Sequence, residues 1–290
     1  MIHSNDDRRV AVITGASKGF GKSIAEEFAK AGYCVLMNSL NEKDLKIAAN
    51  DISNIIGDSD RVNYFAGDIS QENFSESLLD NAMKRFGRVD VLVNNGKITV
   101  EPKQINEGET LAESSLEISP YFVLEEFERV NHNIKGVYFC IKAAVKRMLI
   151  GNKTNCSIIN ISSCQGCMTQ SASNSYTESR SGVDPYTDSM ANIETITKSV
   201  ALELADTGIR VNGIIPGLVT TDLCEDFIEN EQKRKQKEME IPIKRIARPQ
   251  EISKVALFLA SEDASYITGA MIPVDGGLVL SRPNYFVEIS

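Results

Sequence analysis

Short apolar segments alternate with amphipathic ones along this chain of 290 residues, and that alternation restricts the fold more than any other feature. The segment Arg9–Thr14 is an apolar run, a glycine-rich turn follows it, and an amphipathic pattern then continues to Gly32. A strand, a turn and a helix are expected there, because short apolar runs form buried strands and helices commonly end at glycine. Buried strands that alternate with helices are typical of a parallel sheet covered on both faces.

The same alternation continues through most of the remaining sequence. Further strands are expected at 33–37, 62–66, 89–93, 157–161, 209–215 and 270–274, and helices at 41–56, 71–86, 124–149, 185–205 and 249–260, with a polar helical segment before the last of them. No linker, repeat or low-complexity segment interrupts this order. We therefore expect an α/β fold with a doubly wound, Rossmann-like parallel sheet, in which residues 1–8 form a flexible tail and residues 9–290 a single domain.

Composition limits the classes of partner. The formal net charge of −9 argues against nucleic acid, and the one basic cluster, 233–237, is interleaved with acids and is expected to be a solvated helix face. No apolar run approaches the roughly eighteen residues of a membrane span, and the first residues do not resemble a secretory signal, so we expect no membrane partner and a cytoplasmic location. Two histidines and a lone Cys-x-x-Cys spacing, Cys164 to Cys167, do not supply a zinc site, so no metal is expected.

The turn after the first strand has the chemistry of a phosphate site. Its sequence is Thr14-Gly15-Ala16-Ser17-Lys18-Gly19-Phe20-Gly21, and it lies directly between a predicted strand and a predicted helix. Glycines let the backbone approach a pyrophosphate, and the N-terminus of the helix offers free N–H groups and a positive dipole end to the anion. The turn therefore predicts a dinucleotide-binding site.

This turn and several later motifs resemble those of the short-chain dehydrogenase/reductase family and follow in the family's order. The later motifs are Gly67-Asp68-Ile69, Val93-Asn94-Asn95-Gly96, Asn133-Ile134-Lys135-Gly136, Ile161-Ser162-Ser163, Arg210-Val211-Asn212, Pro216-Gly217 with Thr221, and Asp275-Gly276-Gly277. The resemblance covers almost the whole chain and is closest to 3-oxoacyl-carrier-protein reductases. It implies a nicotinamide-dependent reductase of a ketone or β-ketoacyl-type substrate, either a small molecule or one linked to an acyl carrier.

The resemblance also implies which residues bind the cofactor. They are Gly15, Ser17, Lys18, Gly19, Phe20, Gly21, Ser39, Asp68, Ile69, Asn95, Gly96, Pro216, Gly217, Val219 and Thr221. An acid at the end of the second strand would repel the 2′-phosphate of NADP(H), but that position is Ser39. Because Lys18 can also pair with a phosphate, NADP(H) is favoured. NAD(H) stays an alternative, since Leu40 stands where NADP-dependent members commonly carry arginine.

For catalysis, the resemblance implies a serine that orients the carbonyl, a tyrosine that protonates it, a lysine beside the tyrosine and an asparagine in a proton relay. Ser163 and Asn133 match by motif, whereas two Tyr-Thr-acid-Ser motifs, beginning at Tyr176 and Tyr186, compete for the tyrosine. The family spacing from the serine, 176 − 163 = 13, selects Tyr176, whereas counting back from Ile209 selects Tyr186. Pro185 suits the first position of a helix and Asp184 its N-cap, which favours Tyr186.

The lysine is absent from both motifs. Arg180 occupies its position after Tyr176, and Met190 occupies it after Tyr186. A thioether can neither lower the pKa of tyrosine by charge nor donate to a ribose, so Arg180 or the unusual Lys97 is a candidate for the missing cation. Two alternatives therefore accompany the reductase: a cofactor-binding partner subunit or sensor with little or no activity, and a protein that catalyses elimination or isomerisation.

The sequence also predicts two inserted loops, a substrate lid and a pair of helices at a subunit interface. Inserted loops are expected at about 99–121 and 165–184, and a mobile substrate lid at about 218–245. By resemblance, the helices 124–149 and 185–205 pair subunits into a homodimer or homotetramer.

Overall fold

A computed structural model describes residues 8–96, 124–150, 155–164, 185–221 and 230–281. Seven strands form one sheet in the order β3-β2-β1-β4-β5-β6-β7, and every neighbouring pair is parallel. The strands are β1 Val10–Ile13, β2 Cys34–Met37, β3 Val62–Tyr64, β4 Val91–Asn94, β5 Cys156–Ile161, β6 Ile209–Pro216 and β7 Met271–Val274. This arrangement confirms the predicted doubly wound α/β fold.

Eight α-helices are described alongside the sheet, and two single-turn helices lie at Ser59–Arg61 and Glu262–Ala264. The α-helices are α1 Gly19–Lys30, α2 Glu42–Ile56, α3 Glu72–Phe86, α4 Leu124–Ile150, α5 Pro185–Glu203, α6 Glu231–Glu240, α7 Pro249–Ala260 and α8 Leu278–Ser281. The bounds of α2, α3, α4, α5 and α7 agree with the predicted ones to within one or two residues. The short helix α8 and the two single-turn helices were not predicted.

The strands bury side chains on both faces, as their continuous apolar sequence requires. In β1, Ala11 and Ile13 pack into one core cluster, while Val12 between them packs into the other. The first cluster includes residues of α1, α2 and α7, and the second includes residues of α3, α4 and α5. The sheet therefore lies between two helical layers, because successive side chains of a strand point to opposite faces.

The order of the strands also determines where a ligand can bind. The chain runs outward from β1 through β2 to β3 in one direction and from β4 to β7 in the other. At such a switch point, the loops beyond the carboxyl ends of the strands diverge and leave a crevice. The predicted site residues Gly15, Ser39, Gly96 and Ser163 all follow the carboxyl end of a strand.

The basic cluster 233–237 is only partly the solvated face that the sequence predicts. The helix α6 carries a surface ion pair between Lys235 and Glu231. Lys237, however, is only 7% exposed and its ammonium lies 3.1 Å from Glu240. Alternating charge in the sequence reveals the helix but not this buried lysine.

Candidate active site

The glycine turn packs directly against the segment that follows β4. The Thr14 hydroxyl oxygen accepts hydrogen bonds from the backbone N–H groups of Asn95 at 3.0 Å and Gly96 at 2.9 Å. A Cβ added to Gly21 would lie 2.1 Å from the Gly15 carbonyl oxygen, and one added to Gly15 would lie 2.6 Å from Gly96 Cα. Gly15 and Gly21 are therefore required by close contacts within the protein.

Gly19 has a different reason to be glycine. Its φ of +59° is left-handed, and a Cβ there would meet no described atom closer than the Thr221 methyl group at 3.6 Å. Lys18 occupies the N-cap of α1 and gives it no side-chain cap, whereas Asn41 caps α2 and Asn230 caps α6. The first turn of α1 thus keeps the open backbone and the uncapped dipole end that suit a phosphate.

Asparagine side chains fix the segments that follow β2 and β4, the two strands that flank β1. Asn38, after β2, is buried and its amide donates to the carbonyl oxygens of Phe65 at 3.0 Å and Gly67 at 3.1 Å. The Asn95 amide donates to the Gly15 carbonyl oxygen at 3.1 Å, and its own buried Oδ1 has no hydrogen-bond partner among the residues that the structure describes. An unsatisfied oxygen beside the glycine turn is consistent with a polar ligand there.

The cleft at the switch point is lined by five of the predicted cofactor-binding residues, Gly15, Ser39, Asp68, Ile69 and Gly96. Its lining consists of Gly15, Ser39, Leu40, Gly67, Asp68, Ile69, Gly96, His132 and Asn133. Ser39 lies 3.0 Å from Ser17 of the glycine turn, oxygen to oxygen, so the two polar side chains meet at one end of the turn. The lining thus combines the polar side chains of Ser39, Asp68, His132 and Asn133 with apolar Leu40 and Ile69 and with three glycines.

One contact in this wall involves a residue that the motifs do not identify. His132 Nε2 lies 3.2 Å from Asp68 Oδ1, an oxygen that accepts a hydrogen bond from the Ser70 backbone N–H at 2.9 Å. Burial alone would raise the pKa of Asp68, but the hydrogen bonds from Ser70 and the electrostatic effect of His132 outweigh burial, and the pKa lies below its ordinary value. The adjacency of His132 to Asn133 was the signal in the sequence that could have indicated its place.

The residues expected for catalysis lie on three elements. Ser163 follows β5 and Asn133 lies on α4, where it is 5% exposed. The helix α5 begins at Pro185, as predicted, so Tyr186 is its second residue and position 190 follows one helical turn later. Tyr176, Arg180, Lys97, Asp184 and the two inserted loops lie outside the described residues.

Position 190 is part of the core. Met190 is fully buried and belongs to the apolar cluster between the sheet and the helices α3 to α5. Nearby, a buried chain of hydrogen bonds joins the sheet to α5: Asn94 donates to Asn160 at 2.8 Å, and Asn160 donates to the Thr197 hydroxyl at 2.9 Å. The helix that carries Tyr186 is therefore fixed by both apolar and polar contacts.

The segment after β6 forms the other side of the crevice. A Cβ on Gly217 would lie 2.6 Å from Asp275 Cα, and Val219 is buried and paired with Ala247. The Thr221 methyl group faces Gly19. Pro216 is the last residue of β6, so these four predicted cofactor residues lie on one strand and the loop that leaves it. Residues 222–229 of the expected lid lie outside the described part of the chain.

The described ranges contain no group of three or more His, Cys, Asp or Glu that could hold a metal ion. None of their helices is both long and apolar enough to cross a membrane.

Comparison with known proteins identifies the family. A family model described as Enoyl-(Acyl carrier protein) reductase matches residues 15–279. The chain belongs to the short-chain dehydrogenase/reductase family. It is 33% identical over 274 residues to glucose 1-dehydrogenase 2 of Bacillus subtilis. The alignment covers 94% of this chain and 95% of the relative.

Two solved structures of similar proteins carry nicotinamide cofactors in their descriptions. One is 3-ketoacyl-(acyl-carrier-protein) reductase from Brucella melitensis complexed with NADH, with a TM-score of 0.74, 29% identity and coverage of 93% of this chain and 98% of that one. The other is the Pseudomonas aeruginosa RhlG/NADP active-site complex, with a TM-score of 0.77, 26% identity and coverage of 93% and 96%. These similarities confirm the predicted family of oxidoreductases and the class of cofactor that it binds.

Proposed function

We propose that this short-chain dehydrogenase/reductase uses NADPH to reduce a ketone or a β-ketoacyl-type substrate. The observation that carries the proposal is the cleft at the switch point, which joins Gly15 of the glycine turn to the polar side chains of Ser39, Asp68 and Asn133. The uncapped first turn of α1 follows that glycine turn. Gly15, Gly19 and Gly21 would hold the pyrophosphate, with Asn95, Gly96, Val219 and Thr221 around it. When bound, reduced nicotinamide supplies a hydride to the carbonyl carbon.

Ser39 supports NADPH over NADH. Its hydroxyl meets Ser17 at the end of the glycine turn, and the exposed Lys18 is the neighbouring residue of that turn. Neither side chain at this pair is an acid, so a 2′-phosphate would meet no like charge there. Two hydroxyls and a cation are suitable partners for such a phosphate.

On the substrate side, Ser163 would donate a hydrogen bond to the carbonyl oxygen and Tyr186 would give that oxygen its proton, with Asn133 in the relay. Reduction needs a protonated tyrosine as general acid, whereas alcohol oxidation needs the tyrosinate. A lysine at position 190 would have stabilised that tyrosinate and the thioether of Met190 does not, which suits reduction.

The burial of Met190 also favours a second candidate, a cofactor-binding partner or sensor with little turnover. Its thioether has no N–H donor for the ribose, and it is packed among apolar residues. Both candidates require nucleotide binding, so only turnover distinguishes them.

The test measures NADPH and NADH binding by fluorescence and then NADPH consumption with a panel of ketones and acyl thioesters. The reductase predicts turnover that Tyr186→Phe lowers by about 100-fold or more, while Tyr176→Phe has little effect. Turnover lost only in Tyr176→Phe would transfer the role of acid to Tyr176. Binding without turnover on any substrate would support the second candidate, and the absence of binding would refute both.

A further inference from the structure

Ser162 is a buried polar residue to which the proposed reaction gives no role, although it directly precedes the candidate catalytic Ser163. It is 1% exposed, and its backbone N–H donates to the Ile214 carbonyl oxygen at 2.8 Å, which extends the pairing of β5 with β6 by one residue. Its side chain contacts a helix: Oγ donates to the backbone carbonyl oxygen of Met190, 3.2 Å away. Ser162 therefore joins the sheet to α5.

The contact with α5 falls at the helical turn that follows Tyr186. Residues 186 and 190 are four apart, so an anchor on the Met190 backbone acts within about one turn of the candidate acid. A carbonyl oxygen has two lone pairs, and this one can accept from Ser162 as well as from the N–H four residues later in the helix. The hydrogen bond thus adds an anchor from outside the helix without replacing one inside it.

The side chain of Met190 provides no equivalent anchor. It is fully buried in an apolar cluster, where its contacts have no preferred direction. An unbranched thioether with three rotatable bonds also adapts to small shifts of the helix. A hydrogen bond, in contrast, is restricted in both distance and angle. The position of this turn relative to the end of β5 therefore depends more on Ser162 than on the thioether of Met190.

We propose that Ser162 is a positioning residue for the reduction, which holds the first turns of α5 so that Tyr186 and Ser163 reach the same carbonyl oxygen of the substrate. The inference rests on the proposed function with Tyr186 as the acid. Displacement of a reacting group by about 1 Å can lower a rate by about 100-fold, so a small shift of α5 would slow the reaction. The alternative is a purely structural link, whose loss would lower stability and leave the rate of the chemical step unchanged.

The experiment compares Ser162→Ala with wild type in the full chain, using NADPH and the ketone or acyl thioester that wild type reduces fastest. We expect kcat and the single-turnover rate of NADPH oxidation to fall by about tenfold or more. KM and the Kd of NADPH should stay close to the wild-type values, because only an interaction that acts in the transition state is lost. Ser162→Thr keeps the hydroxyl and should recover most of the rate.

Ser157→Ala is the matched control. Ser157 is a fully buried serine of the same strand, and its Oγ also donates to a backbone carbonyl oxygen, that of Leu259 in α7 at 3.0 Å. Removal of its hydroxyl should lower the urea midpoint about as much as Ser162→Ala does, because the two hydrogen bonds are of the same kind. It should leave kcat unchanged, because α7 carries none of the residues proposed for catalysis.

An undiminished rate in folded Ser162→Ala would overturn the inference while leaving the proposed function intact, and so would an equal loss of rate in Ser157→Ala. If Ser162→Ala does not fold, Ser162→Cys takes its place, since its S–H is a weak donor on a side chain of similar shape. Its rate should then lie below that of wild type, and an unchanged rate would count against the inference. NADPH binding without turnover in wild type would overturn the proposed reductase and, with it, this role of Ser162.

Discussion

Ser162 Oγ donates a hydrogen bond to the backbone carbonyl oxygen of Met190, with 3.2 Å between the two oxygen atoms. Both residues are buried, at 1% and 0% exposure. The contact joins the end of β5, where Ser163 follows, to the turn of α5 that comes after Tyr186. The candidate serine and tyrosine therefore have a fixed relationship through the backbone, whatever side chain stands at position 190.

Met190→Lys should destabilise the protein. A lysine there would bring an ammonium into a fully buried apolar cluster, and the free energy of unfolding should fall by about 3 kcal/mol or more. Met190→Leu keeps the volume and should cost less than about 1.5 kcal/mol. Urea unfolding measures both variants.

Met190→Lys tests both the burial of position 190 and the proposed activity. Unchanged stability in Met190→Lys would mean that the new side chain reaches a polar space, contrary to the burial of position 190. If Met190→Lys also created turnover that wild type lacks, the reductase proposal would fail and the binding protein would gain support.

Thr197→Val should break the polar connection between the sheet and α5. The substitution preserves shape but leaves the buried Asn160 amide without its acceptor, so the free energy of unfolding should fall by about 1–3 kcal/mol. Thr195→Val is the control on the same helix, because Thr195 is exposed and, within the described part of the chain, its hydroxyl bonds to the Ala191 carbonyl oxygen of the same helix. Chemical denaturation of the two variants should give clearly different midpoints, and equal midpoints would argue against the connection.

Gly21→Ala should disrupt the cofactor turn. The new methyl group would overlap the Gly15 carbonyl oxygen and the Asn95 amide, at 2.1 and 2.4 Å, so the turn must shift. We expect NADPH binding to weaken by about tenfold or more, as the backbone leaves its phosphate-binding conformation. Gly57→Ala also introduces strain, at a φ of +69°, but no atom lies near its Cβ and it is remote from the turn. Fluorescence titration should show normal NADPH binding in Gly57→Ala.

Much of the fold could be predicted from the sequence because each signal was local. Apolar runs such as Val10–Ile13 must be buried on both faces, which predicts the strands and their order. Proline is disfavoured inside a helix, so Pro185 predicts the start of α5. The glycine turn was recognisable for the same reason. The hydrogen bond from the Asn95 amide to the Gly15 carbonyl oxygen joins residues far apart in the sequence and was not predictable in detail.

The parts of the site that could not be predicted depend on tertiary contacts. His132 meets Asp68 because α4 approaches the loop after β3. The adjacency of His132 to Asn133 indicates its place near the site, but not its contact with Asp68. Similarly, the sequence identifies Met190 as the substitute for lysine, but its complete burial results from packing between α4, α5 and the sheet. The burial of Lys237 within a highly charged helix has the same kind of origin.

Ser39→Asp should change the choice of cofactor. A carboxylate beside Ser17 would repel a 2′-phosphate and could accept from a ribose hydroxyl, so NADPH should bind about tenfold or more weakly while NADH binding is maintained or improved. Asparagine has the shape of aspartate without its charge, so Ser39→Asn should keep the preference for NADPH. Titration of both nucleotides into the two variants provides the comparison. An equal loss of NADPH affinity in Ser39→Asn would show that the hydroxyl, rather than the absence of charge, determines the preference.

The contact between Arg245 and Glu251 should make stability depend on acid pH. Arg245, at the end of the expected lid, donates to both carboxylate oxygens of Glu251 in the first turn of α7, at 2.7 and 2.6 Å. With the Arg248 backbone N–H, this contact lowers the pKa of Glu251 from 4.5 to about 2. A carboxyl with a depressed folded pKa stabilises the protein above its unfolded pKa and loses that effect as the pH falls toward the folded value.

Glu251→Gln should therefore be less stable than wild type at pH 7, and the difference should shrink between about pH 4.5 and pH 2, the interval between the two pKa values. Because both side chains are partly exposed, at 48% and 32%, solvent screens the pair and added salt should also reduce the difference. Urea unfolding at several pH values measures the effect, with the exposed Glu203→Gln as the control that should show little pH-dependent difference. A difference for Glu251→Gln that stays constant from neutral to acid pH would mean that the charge of Glu251 does not stabilise this junction.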